Sequence, residues 1–455
     1  MSSKPQIVNG LAGASYLYYI EKHFESALVV IPSDIDLERA CEALRFFAKE
    51  RVQVWAYPEF ERLFEPLRQE PEILYERMAL QAEMAEHPAK PRFILTHLEA
   101  LAQKTLPAKA LLKHSLRLKR GEWAERDKLL IDLQAIGYQR DDLAEDQGFF
   151  SVRGHLIDIF PPLKPSPFRI EFFGDEIVSI RAFDPVSQRS LEEQQELVLY
   201  PIRESISSPA LWERARSHIK NLGDDRGVTI QERERLLFDL ENHRDVVEPR
   251  WLLPAFFEDL ESLFDYFHKI PNVVFLDRGR CVELFQKSVE DDNRSFESLS
   301  RLSYTPDSIR LDPFSALPEG PHELFSTLAG KGLSYNVRTF EDLRDKLIKS
   351  KSFGPLESEI RSLKDLGLSP TMVVPSAKRR EALYESLEGV AGNLEWVSGP
   401  FFDGFASETF QKAFITERDI FGVKKKAAKS ASRTKEDFLR QFAGLSDGGY
   451  VIHED

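Results

Sequence analysis

A run of short apolar segments between residues 149 and 201 constrains the fold of this chain most strongly. The sequence is FFSVRGHLIDIFPP over 149–162, FRIEFFGDEI over 168–177 and SIRAFDP over 179–185. Gly, Gly-Asp, Pro-Pro and Asp-Pro interrupt the apolar runs where tight turns would stand. The pattern predicts consecutive antiparallel strands that form a meander.

One strand of this meander has an unusual polar face. In the strand after Pro167, Ile170 and Phe172 share one face, and the opposite face carries Arg169, Glu171 and Phe173. An arginine beside an exposed phenylalanine is typical of a protein-binding hot spot. An ordinary solvated sheet surface with one exposed aromatic ring explains the same pattern, so the residues alone leave both interpretations open.

Length, charge and cysteine content limit the class of protein. With 455 residues the chain is too long for one core, and about three domains are expected. The formal net charge of −14 argues against broad, charge-driven DNA binding. Cys41 and Cys281 are far apart and fit a reducing cytoplasm. Because no apolar run approaches ~20 residues and residues 1–6 lack a signal-peptide core, we expect a cytoplasmic protein that does not enter a membrane.

Helical and strand patterns alternate on both sides of the meander. Continuous apolar runs at 27–32, 53–57 and 92–95 lie between helical patterns, and 272–277 has the same character. Such runs are typical of a mainly parallel sheet covered by helices on both faces. We therefore predict an α/β domain in two parts, 8–114 and 203–340. An α+β domain at 115–202, with a helix at 122–136 followed by the meander, is inserted between them.

The last part of the chain has patterns of its own. Residues 352–422 predict a small α/β domain, and 423–436 form a basic segment without apolar periodicity. That segment could contact nucleic acid, but a solvated linker is favoured because no aromatic residues are interleaved with its charges. The sequence stops at 450–455 inside an apparent strand, so we expect it to be part of a longer protein.

The segment 9–17, NGLAGASYL, is the strongest candidate for a nucleotide site. It precedes a helix, but a phosphate-binding loop has the form GxxxxGK[ST], in which the lysine and the hydroxyl contact phosphate and magnesium. Aligned on Gly10, the last three positions are Ser15, Tyr16 and Leu17, and Gly13 lies inside the loop. The lysine and the magnesium-binding hydroxyl are both missing. We predict a vestigial loop that serves as a tight turn and does not support hydrolysis.

No other catalytic or metal site is predicted. The ten histidines are scattered without ligand spacing, and His155 is expected to be structural or at the rim of a surface rather than catalytic. Adjacent acidic residues rarely converge on one atom, so the acidic pairs are expected to be solvated surface. These pairs are Asp141-Asp142, Asp224-Asp225, Glu258-Asp259 and Asp291-Asp292.

The meander also resembles a known family. VRGHLIDIFPP, RIEFFGDEIVSIRAFDP and QRSLEE closely resemble the UvrB-homology module of bacterial transcription-repair coupling factors, and UvrB carries a looser version. The resemblance extends from NGLAG at 9–13 through PAFF at 254–257 to ERDIFG at 417–422. It implies a UvrB-like degenerate P-loop α/β domain, the inserted module and a small domain of unclear role. Residues 437–455 would begin the RNA-polymerase-interacting domain.

The resemblance also implies partners and site residues. The family binds UvrA through the meander, and the matching positions here are Arg153, Arg169 and Phe173, with Arg181 as a weaker candidate. ATP and magnesium would act only in motor domains absent from this sequence, which would also make the main DNA contacts. In the resting full-length protein, those motor domains would cover the UvrA-binding face.

We therefore interpret the chain as a non-catalytic adaptor that recruits UvrA to stalled RNA polymerase for transcription-coupled nucleotide excision repair. One alternative is a UvrB-like ATP-dependent protein that processes damaged DNA. Ser15, Tyr16 and Leu17 argue against it, and so does the short, helical stretch between Tyr57 and Arg92, which leaves too little chain for a damage-probing hairpin. The other alternative, a stand-alone DNA-binding module, is opposed by the negative net charge.

Overall fold

The computed structural model describes residues 6–60, 63–64, 71–206, 208–242, 250–298, 302–318, 320–325, 332–387, 390, 392, 394–400 and 402–422. The chain divides into two compact units, Met1–Arg338 with Ser407–Phe410 and Thr339–Ala406 with Gln411–Asp455. The basic linker predicted at 423–436 and the domain start predicted at 437–455 lie outside the described residues. Among the described helices, none combines the length and the apolar character needed to cross a bilayer.

The first unit begins with alternating strands and helices. Three of its strands coincide with the predicted apolar runs, whereas the short β1 was not predicted. The helix α3 occupies the region where helical spacing was noted before Arg92. The strands are β1 (Ile7–Asn9), β2 (Ala27–Val30), β3 (Gln53–Tyr57) and β4 (Arg92–Thr96). The helices are α1 (Ser15–His23), α2 (Leu37–Ala48), α3 (Pro71–Glu86), α4 (Leu98–Ala102) and α5 (Ala108–Lys113).

The next segment, residues 116–199, contains the meander. Its helix is α6 (Arg126–Ala135), and its strands are β5 (Leu116–Lys119), β6 (Gln139–Arg140), β7 (Phe149–Arg153), β8 (Leu156–Ile159), β9 (Phe168–Phe173), β10 (Glu176–Phe183), β11 (Ser190–Glu193) and β12 (Glu196–Leu199). In the described residues, β6 to β11 form a six-stranded sheet in sequence order, and β5 pairs with β12. The pairs from β7 to β11 are antiparallel, as predicted, and β6 joins β7 in parallel.

The helix predicted at 122–136 starts later than expected. The helix starts later because residues 121–124 form a turn and a short bridge that are hydrogen-bonded to β10 and the turn before it. The backbone N–H of Gly121 donates to the Ile177 carbonyl at 2.7 Å, and that of Ala124 donates to the Asp175 carbonyl at 2.7 Å.

After the meander, the chain returns to the first sheet. The helices are α7 (Pro209–Asp225), α8 (Ile230–Asn242), α9 (Leu253–Phe256), α10 (Arg278–Ser298), α11 (Pro306–Ile309) and α12 (Pro313–Ala316). The strands are β13 (Asn272–Leu276), β14 (His322–Leu324) and β15 (Leu333–Ser334). The described strands form a seven-stranded sheet in the order β15-β1-β14-β13-β2-β4-β3. Its pairings are parallel, so strands from before and after the meander share one sheet.

The second unit is a smaller α/β fold. It begins at Thr339, earlier than the predicted 352, because Phe340 and Leu343 pack into its core with Leu356 and Ile360. Among its described strands, β17 pairs in parallel with both β18 and β20. The strands are β16 (Arg338–Thr339), β17 (Pro370–Val374), β18 (Glu395–Ser398), β19 (Phe405–Ser407) and β20 (Lys412–Thr416). The helices are α13 (Leu343–Ser350), α14 (Gly354–Asp365), α15 (Ala377–Ser386) and α16 (Glu417–Phe421).

Candidate functional site

The six-stranded sheet has one apolar and one polar face. Ile157, Ile170, Phe172 and Ile180 pack with Leu133 of α6 in a hydrophobic core. Because side chains alternate along a strand, the intervening residues lie on the opposite face, which we call the outer face. The outer face contains all three predicted site residues and their neighbours: Arg153, Asp158, Arg169, Glu171, Phe173 and Arg181.

Two of the predicted site residues share one carboxylate. Asp158 is only 2 % exposed, and it accepts a hydrogen bond from Arg153 Nη2 at 2.5 Å. Arg169 donates to the same carboxylate through Nε at 2.7 Å and Nη2 at 2.9 Å. The hydrogen bonds with Asp158 outweigh the effect of burial and raise the pKa of Arg169. Both guanidinium groups are therefore held in fixed positions before any partner arrives.

The two arginines differ in what they present to solvent. The side chain of Arg153 is 45 % exposed, whereas that of Arg169 is 16 % exposed. The Arg169 guanidinium also lies 4.5 Å from the centre of the Phe183 ring and donates to Gln188 at 2.9 Å. Arg169 thus mainly organises the outer face, and Arg153 offers the more accessible charge.

The sequence analysis did not identify Asp158. A signal was present, because the alternation Ile157-Asp158-Ile159 places an acidic residue on the face that carries the arginines. The register shows that Asp158 lies directly opposite Arg169 on β9 and Ser151 on β7. A carboxylate opposite an arginine in a sheet is a stabilising cross-strand pair.

Arg181 is also paired within the outer face. Its Nη2 donates to Glu171 Oε2 at 2.9 Å, and His155 Nε2 lies 3.7 Å from the other oxygen of the same carboxylate. His155 is exposed in the turn between β7 and β8. The described residues contain no group of three or more possible metal ligands, around His155 or elsewhere. The polar part of the outer face thus contains two sets of paired charges, one around Asp158 and one around Glu171.

Phe173 is the most exposed part of the predicted site. Its side chain is 79 % exposed, whereas the preceding Phe172 is in the core. Phe173 closes a two-residue turn with Glu176, and Gly174 adopts a φ of +62°, which a two-residue hairpin of this kind requires at its first position. The backbone N–H of Phe172 donates to the His155 carbonyl at 3.0 Å. The ends of β7 and β9 therefore lie at the same edge of the sheet, with Arg153 and Phe173 as their last residues.

The loop after β1 forms a tight turn, and some of its polar groups are hydrogen-bonded within the protein. Gly10 and Gly13 have φ values of +77° and +58°, as in a tight turn. Ser15 is fully buried, its hydroxyl donates to the Ala12 carbonyl at 2.7 Å, and Tyr16 is also buried. The Leu11 amide donates to the Phe325 carbonyl at 3.0 Å. The Ser15 hydroxyl and the Leu11 amide are thus already hydrogen-bonded to carbonyl groups of the protein. In the alignment on Gly10, Tyr16 occupies the position of the P-loop lysine.

The acidic pairs do not form a metal site in the part of the chain that the structure describes. The expectation that all of them are solvated is wrong for Asp292. This residue is buried and pairs with Arg310 Nη1 at 3.1 Å, and burial raises its pKa to about 6. Asp292 is therefore part of a structural ion pair between α10 and the segment after α11.

Sequence comparisons relate this region and most of the chain to known proteins. The UvrB interaction domain matches residues 116–204, which include the whole six-stranded sheet. The transcription-repair-coupling factor of Myxococcus xanthus is 28% identical over 426 residues, covering 84% of this chain and 35% of that protein. Those of Escherichia coli and Haemophilus influenzae are 28% and 25% identical, covering 79% and 98% of this chain. The chain spans about a third to two fifths of the length of these relatives.

The fold and the site thus define a multi-domain α/β protein that carries a UvrB interaction domain. Over most of its length, the chain is similar in sequence to transcription-repair-coupling factors.

Proposed function

We propose that this chain is an adaptor that binds UvrA through the outer face and thereby brings it to stalled RNA polymerase in transcription-coupled nucleotide excision repair. The observation that carries the proposal is Phe173, a 79 % exposed ring at the edge of a face whose arginines are already ordered. An exposed aromatic anchor beside fixed charges has the composition of a protein-binding hot spot. The face lies inside the matched UvrB interaction domain.

The proposal assigns no catalysis to this chain. The α/β domain would be a degenerate UvrB-like nucleotide domain, with the UvrA-binding module inserted in it. The buried Ser15 hydroxyl and the Tyr16 side chain at the lysine position support this assignment. ATP hydrolysis, the main DNA contacts and polymerase binding would belong to other parts of the longer proteins.

The proposal predicts that Phe173→Ala weakens the binding of UvrA by about thirty-fold or more, because an aromatic hot-spot residue contributes ~2 kcal/mol or more. Arg153→Ala should also weaken binding, since it removes the more accessible charge. Charge reversal of either arginine is a poorer test because a second carboxylate would face Asp158. The measurement is calorimetric titration of UvrA with the chain.

The matched control is Ile131→Ala, which truncates another exposed apolar side chain. Ile131 lies on α6, behind the opposite face of the sheet, so its loss should leave the affinity unchanged. If UvrA binds the wild-type chain, the Phe173→Ala variant and the Arg153→Ala variant equally, the binding site is not on the outer face. If the wild-type chain does not bind UvrA, the adaptor role is wrong.

A further inference from the structure

A second exposed aromatic side chain lies close to Phe173. Trp123 precedes α6, and its side chain is 77 % exposed. It forms an antiparallel bridge with Glu176 of β10. The Ala124 amide donates to the Asp175 carbonyl at 2.7 Å, and the Ile177 amide donates to the Glu122 carbonyl at 3.0 Å. Because the flanking residues make the hydrogen bonds, Trp123 and Glu176 are a non-hydrogen-bonded antiparallel pair. In such a pair the two side chains lie next to each other.

The register places the two aromatic residues on the same face. Glu176 lies opposite Trp123 on one side and opposite Phe173 on the other. Residues directly opposite each other in antiparallel strands point to the same face. Trp123, Glu176 and Phe173 therefore form one row, which we call the aromatic row. Its two outer residues are separated by two strand spacings, about 9–10 Å.

The backbone under the aromatic row is held in place without help from the rings. The Gly121 amide donates to the Ile177 carbonyl at 2.7 Å. The Arg126 amide donates to Asp175 at 3.2 Å, and Arg126 Nη2 donates to the Gly154 carbonyl at 2.6 Å. Arg126 thus connects both hairpin turns to the start of α6. A partner would meet a pre-organised surface and would lose little entropy in ordering it.

The row also differs from scattered surface apolar residues. Each ring exposes on the order of 150 Å², and the two rings lie on either side of Glu176 in one row. The row is continuous with the outer face and lies within residues 116–204, which the UvrB interaction domain matches. The carboxylate of Glu176 between the rings favours a partner surface with a cationic side chain at its centre.

We propose that Trp123 is a second aromatic anchor of the UvrA-docking surface. UvrA would contact the whole aromatic row, with an apolar recess for each ring and a lysine or arginine opposite Glu176. This inference rests on the adaptor function proposed above, and it extends the docking surface across β10 to the segment before α6.

The test is titration of UvrA with the wild-type chain and with Trp123→Ala, Trp123→Phe, Phe173→Ala and Ile131→Ala. We expect Trp123→Ala to weaken binding at least about ten-fold. Trp123→Phe should retain most of the affinity because it keeps a ring at the same position, and Ile131→Ala should bind as the wild type. Glu176→Lys should also weaken binding. Circular dichroism and thermal midpoints of the variants show whether each one is folded.

The outcomes separate the two proposals. If Phe173→Ala loses affinity while Trp123→Ala binds as tightly as the wild type, the second anchor is wrong and the adaptor function stands. If the wild-type chain does not bind UvrA, the adaptor function fails, and the second anchor fails with it. If Trp123→Ala does not fold, Trp123→Gln replaces it, and unchanged affinity of that variant would overturn the inference.

Discussion

Asp158 determines how the arginines of the outer face are presented. Its carboxylate is almost fully buried and accepts three hydrogen bonds from two arginines. Without it, Arg153 and Arg169 would adopt many rotamers, and a partner would have to order both side chains. We therefore interpret Asp158 as a positioning residue that does not itself need to contact UvrA.

Asp158→Asn should reduce both stability and UvrA affinity. Loss of a charge-assisted hydrogen bond costs about 1.5–3 kcal/mol, and the partial exposure of Arg153 places the expected loss of unfolding free energy in the lower part of that range. Chemical denaturation gives the stability, and titration of the folded variant gives the affinity. Asp225→Asn, at the exposed end of α7, is the control with the same chemical change. Unchanged affinity in a folded Asp158→Asn variant would contradict the positioning role.

At the scale of single elements, the sequence correctly predicted the features that depend only on residues adjacent in the chain. The two-residue period of β9 correctly separated Ile170 and Phe172 from Phe173. The start of α6 was wrong because apolar spacing cannot show that Asp175, about fifty residues later, accepts a hydrogen bond from the Arg126 amide. For the same reason Trp123 was missed, since its position depends on a bridge to β10. UvrA binding by Arg153, Arg169 and Phe173 stays a prediction.

One contact between strand ends makes the stability of the first unit dependent on pH. His97 follows β4, Glu59 follows β3, and Nδ1 of His97 lies 2.7 Å from Glu59. Burial disfavours the charge on both groups, but the hydrogen bond and charge of the partner outweigh it. As a result, the pKa of His97 is raised above its usual 6.5 and the pKa of Glu59 is lowered below its usual 4.5.

The pair should contribute most to stability between pH 4.5 and pH 6.5. The His97 contribution is complete below its unfolded pKa and disappears as pH rises through the folded pKa. The Glu59 contribution is present above its unfolded pKa and disappears as pH falls through the folded pKa. His97→Gln should therefore lower the free energy of unfolding more at about pH 5.5 than at about pH 8.5. Equal losses at both pH values, measured by urea denaturation, would contradict this assignment.

At the scale of the whole first unit, a buried polar cluster connects the meander segment to the α/β domain. Glu204, just after β12, is fully buried and accepts a hydrogen bond from Thr105 Oγ1 at 2.7 Å. It forms an ion pair with Arg250, and Arg77 Nε lies 4.0 Å from its other oxygen. Burial lowers the pKa of both arginines. The carboxylate thus compensates positive charge contributed by segments before and after the meander.

Glu204→Gln should destabilise the first unit by about 3–5 kcal/mol, because it keeps the shape of the side chain but leaves buried arginines without their carboxylate. Urea denaturation of the chain gives the free energy, and Glu122→Gln, at an exposed site, is the control with the same chemical change. Since Glu204 is fully buried and cannot contact a partner directly, a folded Glu204→Gln variant should still bind UvrA under native conditions. A loss below about 1 kcal/mol would mean that the arginines find other partners. It would also mean that the cluster does not hold the meander segment against the domain.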